Sequence, residues 1–140
     1  MSKSKTIYIT KTDEQRLTNL IQLVRDQNEP TQRGYVNILE EGLEVAEIVA
    51  PEEIPPDVVT MRSKLQLKDL QTNEKSTYSI VFPTEADLDA GKISILAPLA
   101  TALLGHRSGD IVEFQAPSRL RKLLIQEIIY QPESAGEYDL

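Results

Sequence analysis

Apolar residues in the first fifty positions recur with the period of an α-helix. Thr12 and Gln15 match a capping box, with Asp13 and Glu14 in the first turn, where the helix dipole favours negative charge. The apolar positions that follow are spaced i, i+3, i+4 and i+7 and form one stripe: Leu17, Leu20, Ile21 and Val24. This pattern predicts an amphipathic helix that ends near Asp26.

A second helical stripe follows after a polar turn. Residues 27–34 are polar and contain Pro30, which indicates a turn. The second stripe ends at Pro51 and comprises Tyr35, Ile38, Leu39, Gly42, Leu43, Ala46 and Val49. Two such stripes bury their apolar faces best against each other, so residues 1–50 are expected to form an antiparallel helical hairpin, a short coiled coil. Each arm of about 15 residues would span about 20–25 Å.

From residue 57 onward the apolar period changes to two, the period of a β-strand. Strands are expected over residues 58–61, 64–68, 77–82, 92–96, 110–115 and 120–130, with Asn73 in a hairpin turn. Pro98 can begin a short helix that Gly105 ends. The predicted fold class is therefore α+β, a helical hairpin over 1–50 followed by a β-rich domain with one short helix over 51–140.

Composition narrows the possible functions. The 140 residues carry a net charge of −7, which argues against a protein that grips phosphate backbones and favours a protein partner. The chain has no cysteine and one histidine, His106, which excludes disulfides and Cys-rich metal sites. No apolar run approaches the ~18 residues of a membrane span, and residues 1–5 precede no apolar stretch, so we expect a cytoplasmic protein without a membrane partner.

Residues 93–114 read ISILAPLATALLGHRSGDIVEF: a strand, a small residue with proline, a short Ala/Leu helix, a Gly-Asp turn and another strand. This order resembles the C-terminal signature of the GreA/GreB transcription elongation factor family, and residues 125–130, IQEIIY, resemble its closing strand. Residues 51–61 (PEEIPPDVVTM) and 130–138 (YQPESAGEY) look like the regulators of nucleoside diphosphate kinase, a branch of the family with a shortened helical hairpin.

The resemblance implies an FKBP-like C-terminal domain that binds RNA polymerase at the rim of its secondary channel. It also implies that the hairpin points into the channel, where Gre factors use acidic tip residues to help hold a metal ion and stimulate transcript cleavage. The segment that contacts polymerase would correspond to Leu96, Ala97, Pro98 and Leu99. Of these four, Ala97 and Pro98 are the stronger candidates, because the leucines are equally explained as core residues.

The acidic tip pair would correspond to Asp26 and Glu29. Carboxylates suit a divalent cation, but two acids near a turn are also common solvated surface. A hairpin arm of about 20–25 Å should fall short of the catalytic centre that the longer Gre hairpin reaches. We therefore expect no cleavage stimulation, no metal site and no cofactor.

Other candidate residues have structural explanations. Gly105, Gly109 and Asp110 suit turn geometry, and His106 has no second histidine or cysteine with which to share a metal. A small basic cluster could contact nucleic acid or an acidic partner, although a solvated strand face explains it better: Arg119, Arg121 and Lys122.

The favoured function is a non-catalytic regulator that binds RNA polymerase, competes with Gre-type factors and touches nucleic acid only through polymerase. No small-molecule substrate is expected. Two alternatives stay open, Gre-like cleavage stimulation through Asp26 and Glu29, and an FKBP-like peptidyl-prolyl isomerase. Isomerase pockets of that fold are lined by aromatic residues, whereas this chain has no Trp and two Phe.

Overall fold

The computed structural model describes three stretches of the chain: residues 7–27, 33–116 and 118–137. They contain α-helices toward the N-terminus and a β-rich region beyond them, which confirms the predicted α+β class. Within these stretches no helix is both long enough and apolar enough to cross a bilayer.

The helical part of the chain begins and ends with a short strand. β1 (Tyr8–Thr10) leads directly into α1 (Lys11–Gln27), and α2 (Arg33–Val45) is followed by β2 (Glu47–Val49). β1 and β2 pair in parallel, and the backbone N–H of Glu47 donates to Ile7 O at 2.9 Å. The prediction that the second helix continues to Val49 is wrong, because pairing with β1 draws these residues into a strand.

α1 and α2 pack on each other through part of the predicted stripes. Leu17, Ile21 and Val24 of α1 are buried, as the stripe predicts. On α2 the buried residues are Leu39, which belongs to the predicted stripe, and Val36, which the prediction missed. Tyr35 and Ile38 of the predicted stripe are 41% and 57% exposed, since α2 turns its neighbouring face toward α1.

The cap of α1 also differs from the prediction. The backbone N–H of Asp13 donates to Thr10 Oγ1 at 3.0 Å, so the capping hydroxyl belongs to Thr10, the last residue of β1, rather than Thr12. Thr10 is fully buried by the pairing of β1, which fixes its hydroxyl at the helix end two residues earlier than the capping-box pattern indicates.

The β-rich region forms one five-stranded sheet of order β5-β4-β3-β7-β6. Its strands are β3 (Lys64–Asp69), β4 (Lys75–Val81), β5 (Lys92–Ser94), β6 (Ile111–Gln115) and β7 (Leu120–Tyr130). Neighbours are antiparallel except β4 and β5, which are parallel. β7 pairs with both β3 and β6 and so lies inside the sheet, as its length and composition predict.

Two other expectations for this region have different outcomes. Asn73 lies in the turn between β3 and β4 with a φ of 66°, and its N–H donates to Asp69 O at 2.7 Å, which confirms the predicted turn. The strand predicted over residues 58–61 is absent. Val58, Val59 and Met61 are buried core residues in an irregular segment, where a turn closed by a Ser63 N–H bond to Thr60 O prevents extended pairing.

Helix α3 (Pro98–Leu103) packs on β6, and the loop after it joins the two parts of the molecule. Gly105 has a φ of 85°, and its carbonyl oxygen accepts the N–H of Tyr8 at 3.3 Å. A Cβ at Gly105 would lie 2.9 Å from Ile7 Cβ, so glycine is needed here for close approach as well as for backbone conformation.

Candidate functional site

Residues 96–99 form the turn from β5 into α3. Ala97 is extended (φ −72°, ψ 143°), the conformation favoured before a proline, and Pro98 is the first residue of α3. Pro98 is exposed, whereas Ala97 and Leu99 are half-buried. Leu96 is 7% exposed and belongs to the hydrophobic core. The turn thus presents Pro98 to solvent and anchors itself in the core through Leu96.

An apolar groove lies beside Pro98, between α2 and the α3–β6 unit. The groove encloses about 410 Å³, and Tyr35 and Ile38 form its α2 wall opposite Ala102 and Phe114. A second cavity of about 360 Å³ adjoins it on the side of β1 and shares Ile38 and Ala102. The groove therefore places exposed apolar residues of α2 next to residues 96–99, an arrangement suited to covering by an apolar partner surface.

Sequence reasoning missed the contribution of α2 to this groove. It assigned Tyr35 and Ile38 to the stripe that packs inside the hairpin. The available signal was the density of apolar residues, because ten apolar or glycine positions in the 15 residues from Tyr35 to Val49 are more than one neighbouring helix can cover.

The candidate hairpin-tip acids are only partly described. Asp26 is an exposed residue in the last turn of α1, where Gln22 Nε2 donates to its Oδ1 at 2.9 Å. Glu29 lies outside the described residues. In the described part of the chain no group of three or more His, Cys, Asp or Glu side chains is arranged to hold a metal ion.

Asp13 forms a buried polar contact between α1 and the loop that precedes β3. Its side chain lies in the first turn of α1, is 4% exposed, and its Oδ2 accepts the backbone N–H of Met61 at 3.0 Å. The neighbouring Thr60 Oγ1 contacts Ser63 Oγ at 2.9 Å and donates to Glu133 Oε1 at 2.7 Å. The sequence predicts for Asp13 only the role of a first-turn acid on the helix dipole, because nothing local to it indicates burial.

Burial determines the ionisation of Asp13. Loss of solvent raises the pKa of its carboxyl from 3.8 to about 7, and the negative charge of Glu133 acts in the same direction. The hydrogen bond from Met61 and the positive charges of Arg16 and Arg62 lower the pKa by less. The protonated and ionised forms of Asp13 are therefore close in free energy near neutral pH.

The predicted basic cluster is paired within the protein. Asp69, at the end of β3, is 3% exposed and accepts hydrogen bonds from Arg121 Nε at 3.1 Å and Arg121 Nη2 at 2.9 Å. Arg119 Nη2 lies 3.3 Å from the same oxygen and also contacts Gln71. The other Asp69 oxygen accepts the backbone N–H of Gln71, which is the largest of the interactions that lower the pKa of Asp69 to about 2. Arg119 and Arg121 thus hold the β3–β4 turn against β7.

The turn after α3 has the geometry that the sequence predicts. Asp110 Oδ2 accepts the backbone N–H of Arg107 at 3.0 Å, and Gly109 has a φ of 91°. His106 Nδ1 lies 3.4 Å from the same Asp110 oxygen, and its side chain is partly buried. These contacts give His106 and Asp110 structural roles in the turn.

Comparisons with known proteins agree with the motifs in the sequence. The family model described as "Transcription elongation factor, GreA/GreB, C-term" matches residues 51–130. The "Regulator of nucleoside diphosphate kinase" of Escherichia coli (strain K12) is 33% identical over 136 residues, which cover 95% of this chain and 96% of that protein.

Two further relatives extend the comparison. The "Transcription elongation factor GreA" of Neisseria meningitidis serogroup A is 41% identical over 98 residues, which cover 69% of this chain and 62% of that protein. A solved structure of a "Prokaryotic transcription elongation factor GreA/GreB from Nitrosomonas europaea" has a TM-score of 0.73 and 36% identity, covering 89% of this chain and 100% of that one.

The family model covers more than half of the chain, and the relationship to the regulator of nucleoside diphosphate kinase extends over nearly all of both proteins. The match confirms the branch that residues 51–61 and 130–138 predict. The chain belongs to the GreA/GreB family of transcription elongation factors.

Proposed function

We propose that this protein is a non-catalytic transcription regulator that binds RNA polymerase at the secondary channel and competes there with Gre-type factors. The observation that carries the proposal is the exposed position of Pro98 at the start of α3, beside the apolar groove and inside the region that the family model matches. Nucleic acid would be reached only through the polymerase.

The four residues from Leu96 to Leu99 have different parts in the proposed contact. Pro98 and the half-buried Ala97 and Leu99 offer surface to the polymerase, while Leu96 holds the segment in the core. Exposed Tyr35 and Ile38 lie across the groove, so a partner surface that covers Pro98 would reach them as well. The exposed apolar side chains on both walls, which a partner surface would bury, support a docking role for this face.

The proposed division of labour follows the two parts of the chain. We assign residues 1–50 to an antiparallel hairpin and residues 51–140 to an FKBP-like domain that docks. α1 has 17 residues and spans about 25 Å. An arm of this length supports occupation of the channel entrance rather than contact with the catalytic centre, so the proposed regulator does not stimulate transcript cleavage through Asp26 and Glu29.

Competition binding tests this function. Core RNA polymerase is loaded with a labelled Gre factor, and the unlabelled protein is titrated in. We expect displacement that Pro98→Asp abolishes, because a carboxylate would be desolvated in the apolar contact. Pro56→Asp is the matched control, since Pro56 is an exposed proline outside the segment. Absence of displacement by the unmodified protein, or equal loss in both variants, contradicts the proposal.

A further inference from the structure

Thr101 lies one turn inside α3, is half-buried and lines the groove together with Pro98. Its hydroxyl donates to the carbonyl oxygen of Ile95 at 2.6 Å and lies 3.2 Å from the carbonyl oxygen of Ala97. Its backbone N–H donates to the same Ala97 oxygen at 3.0 Å. Thr101 therefore contacts the two carbonyl groups on either side of Leu96.

Ser94 holds the turn from the opposite side. Its Oγ accepts the N–H of Leu96 at 3.1 Å, and its carbonyl oxygen accepts the N–H of Ala97 at 2.9 Å. The N–H of Ile95 donates to Val81 O at 2.8 Å, which ties the start of the turn to the end of β4. The backbone of residues 94–97 is thus hydrogen-bonded at successive positions before the chain reaches Pro98.

The turn of residues 94–97 depends on these hydrogen bonds, because its sequence and the short helix that follows supply little stabilisation of their own. Ala97, at the N-cap of α3, has no side-chain acceptor for the helix N–H groups. α3 has six residues, which is too short for a helix to be stable by itself. The contacts of Thr101 and Ser94 therefore limit the conformations of the segment.

We propose that Thr101 is a positioning residue, which holds residues 96–99 in their binding conformation before the partner arrives. This inference rests on the proposed docking of the segment on RNA polymerase. A segment that is already ordered loses less conformational entropy when it binds, so the hydroxyl of Thr101 increases affinity through the backbone carbonyl groups that it holds.

Two substitutions separate the hydroxyl from the shape of the side chain. Thr101→Val keeps the branched shape and removes the hydroxyl, whereas Thr101→Ser keeps the hydroxyl and removes a methyl group. We expect Thr101→Val to weaken binding to core polymerase about fivefold, the equivalent of one net hydrogen bond. Thr101→Ser should bind as tightly as the unmodified protein, and a serine variant as weak as the valine variant would overturn the inference.

A double-mutant cycle with Pro98→Ala tests whether Thr101 acts through the segment. If Thr101 positions Pro98, then Thr101→Val should weaken binding by a smaller factor in the Pro98→Ala background than alone. The same factor in both backgrounds would mean that Thr101 acts independently of Pro98 and would overturn the inference.

Amide hydrogen exchange in the free protein gives a reading that does not depend on polymerase. Thr101→Val should speed exchange at Leu96 and Ala97, while leaving exchange in β3 and β7 unchanged. Equal exchange rates at Leu96 and Ala97 in Thr101→Val and in the unmodified protein would contradict the positioning role. If the unmodified protein does not bind polymerase, the proposed function fails and the inference fails with it. If it binds and Thr101→Val binds equally well, only the inference fails.

Discussion

Asp13 shows how a residue at the surface of an isolated helix can become part of the interior. The hydroxyl of Thr10 caps the helix, and the Asp13 side chain accepts the N–H of Met61 in the loop before β3. The groups that face Asp13 from the packed elements are Glu133, Arg16 and Arg62. Burial outweighs the two cations, so the carboxyl resists ionisation.

The raised pKa of Asp13 predicts that this residue stabilises the fold more at acidic than at neutral pH. The folded state binds the proton more tightly than the unfolded state, so the contribution is full below pH 3.8 and is lost as the pH rises to about 7. Urea unfolding at a series of pH values should show this fall in the unfolding free energy. Asp13→Asn removes the titrating group and should flatten that part of the profile.

Asp13→Ala provides a separate test, because it leaves the N–H of Met61 without its acceptor. We expect a loss of about 1–3 kcal/mol in the free energy of unfolding. A pH profile of Asp13→Asn that is identical to that of the unmodified protein would show that Asp13 ionises freely in the folded state.

Asp69 has the opposite pH dependence. Hydrogen bonds from Gln71 and Arg121 lower its pKa to about 2, so its contribution to stability is present above pH 3.8 and is lost as the pH falls toward 2. Asp69→Asn should therefore lower the unfolding midpoint at pH 7 and make unfolding between pH 4 and 2 less sensitive to acid. Glu113→Gln is the control, since Glu113 is an exposed acid whose contact with Lys122 is 3.8 Å long.

At the scale of elements, contacts between elements decide which residues of α2 are buried. The helix carries more apolar positions than α1 can cover, and the structure turns Val36 and Leu39 inward. Ile38 is left on the wall of the groove beside α3. The parallel pairing of β1 with β2 holds the two ends of the helical segment together.

Substitution of two neighbours on α2 tests which face is buried. Leu39→Ala should lower the free energy of unfolding by about 2–5 kcal/mol, because it removes buried methyl groups and leaves a cavity. Ile38→Ala should change it by less than about 1 kcal/mol, since Ile38 is 57% exposed. Similar losses at both positions, measured by urea unfolding, would contradict the observed orientation of α2.

Substitution of Gly105 tests how tightly the chain around β1 packs against the loop after α3. Gly105→Ala introduces a Cβ 2.9 Å from Ile7 Cβ in a backbone with a φ of 85°. Gly109→Ala imposes similar backbone strain at a φ of 91°, but its Cβ meets nothing within 4 Å. The strain alone should cost about 1–2 kcal/mol of unfolding free energy, and Gly105→Ala should lose more than Gly109→Ala. Equal losses would mean that β1 moves aside without penalty.

At the scale of the whole molecule, an acidic chain carries an apolar groove next to the exposed Pro98. A net charge of −7 is unfavourable for binding directly to nucleic acid, which is consistent with the proposed docking of this surface on a protein. The family relationship to transcription elongation factors agrees with such a partner. Asp13 and Gly105 connect the helical part of the chain to the region of the proposed docking surface through hydrogen bonds with Met61 and Tyr8.

The proposed function predicts inhibition of cleavage rather than stimulation. In stalled elongation complexes that contain a Gre factor, increasing amounts of this protein should reduce RNA cleavage as it displaces that factor. Asp26→Ala should inhibit as well as the unmodified protein, because Asp26 is a solvated residue at the end of α1. Cleavage by this protein alone that disappears in Asp26→Ala would support the Gre-like alternative and contradict the proposal.

The sequence by itself determined the features that depend on neighbours along the chain. The buried positions Leu17 and Ile21, the turn at Asn73 and the start of α3 at Pro98 follow from helical spacing, turn preference and the restricted φ of proline. The family could be recognised for the same reason, because its signature is a run of adjacent elements in residues 93–114.

Only the tertiary structure decided the features that need residues distant in sequence to meet. Asp69 pairs with Arg121 across 52 positions, and Asp13 reaches Met61 across 48. Neither pairing has a local signal, because the register of β3 on β7 and the packing of α1 against the loop before β3 arise when the core forms. The groove beside Pro98 has the same origin, since its two walls belong to a helix and a sheet region that the chain brings together only on folding.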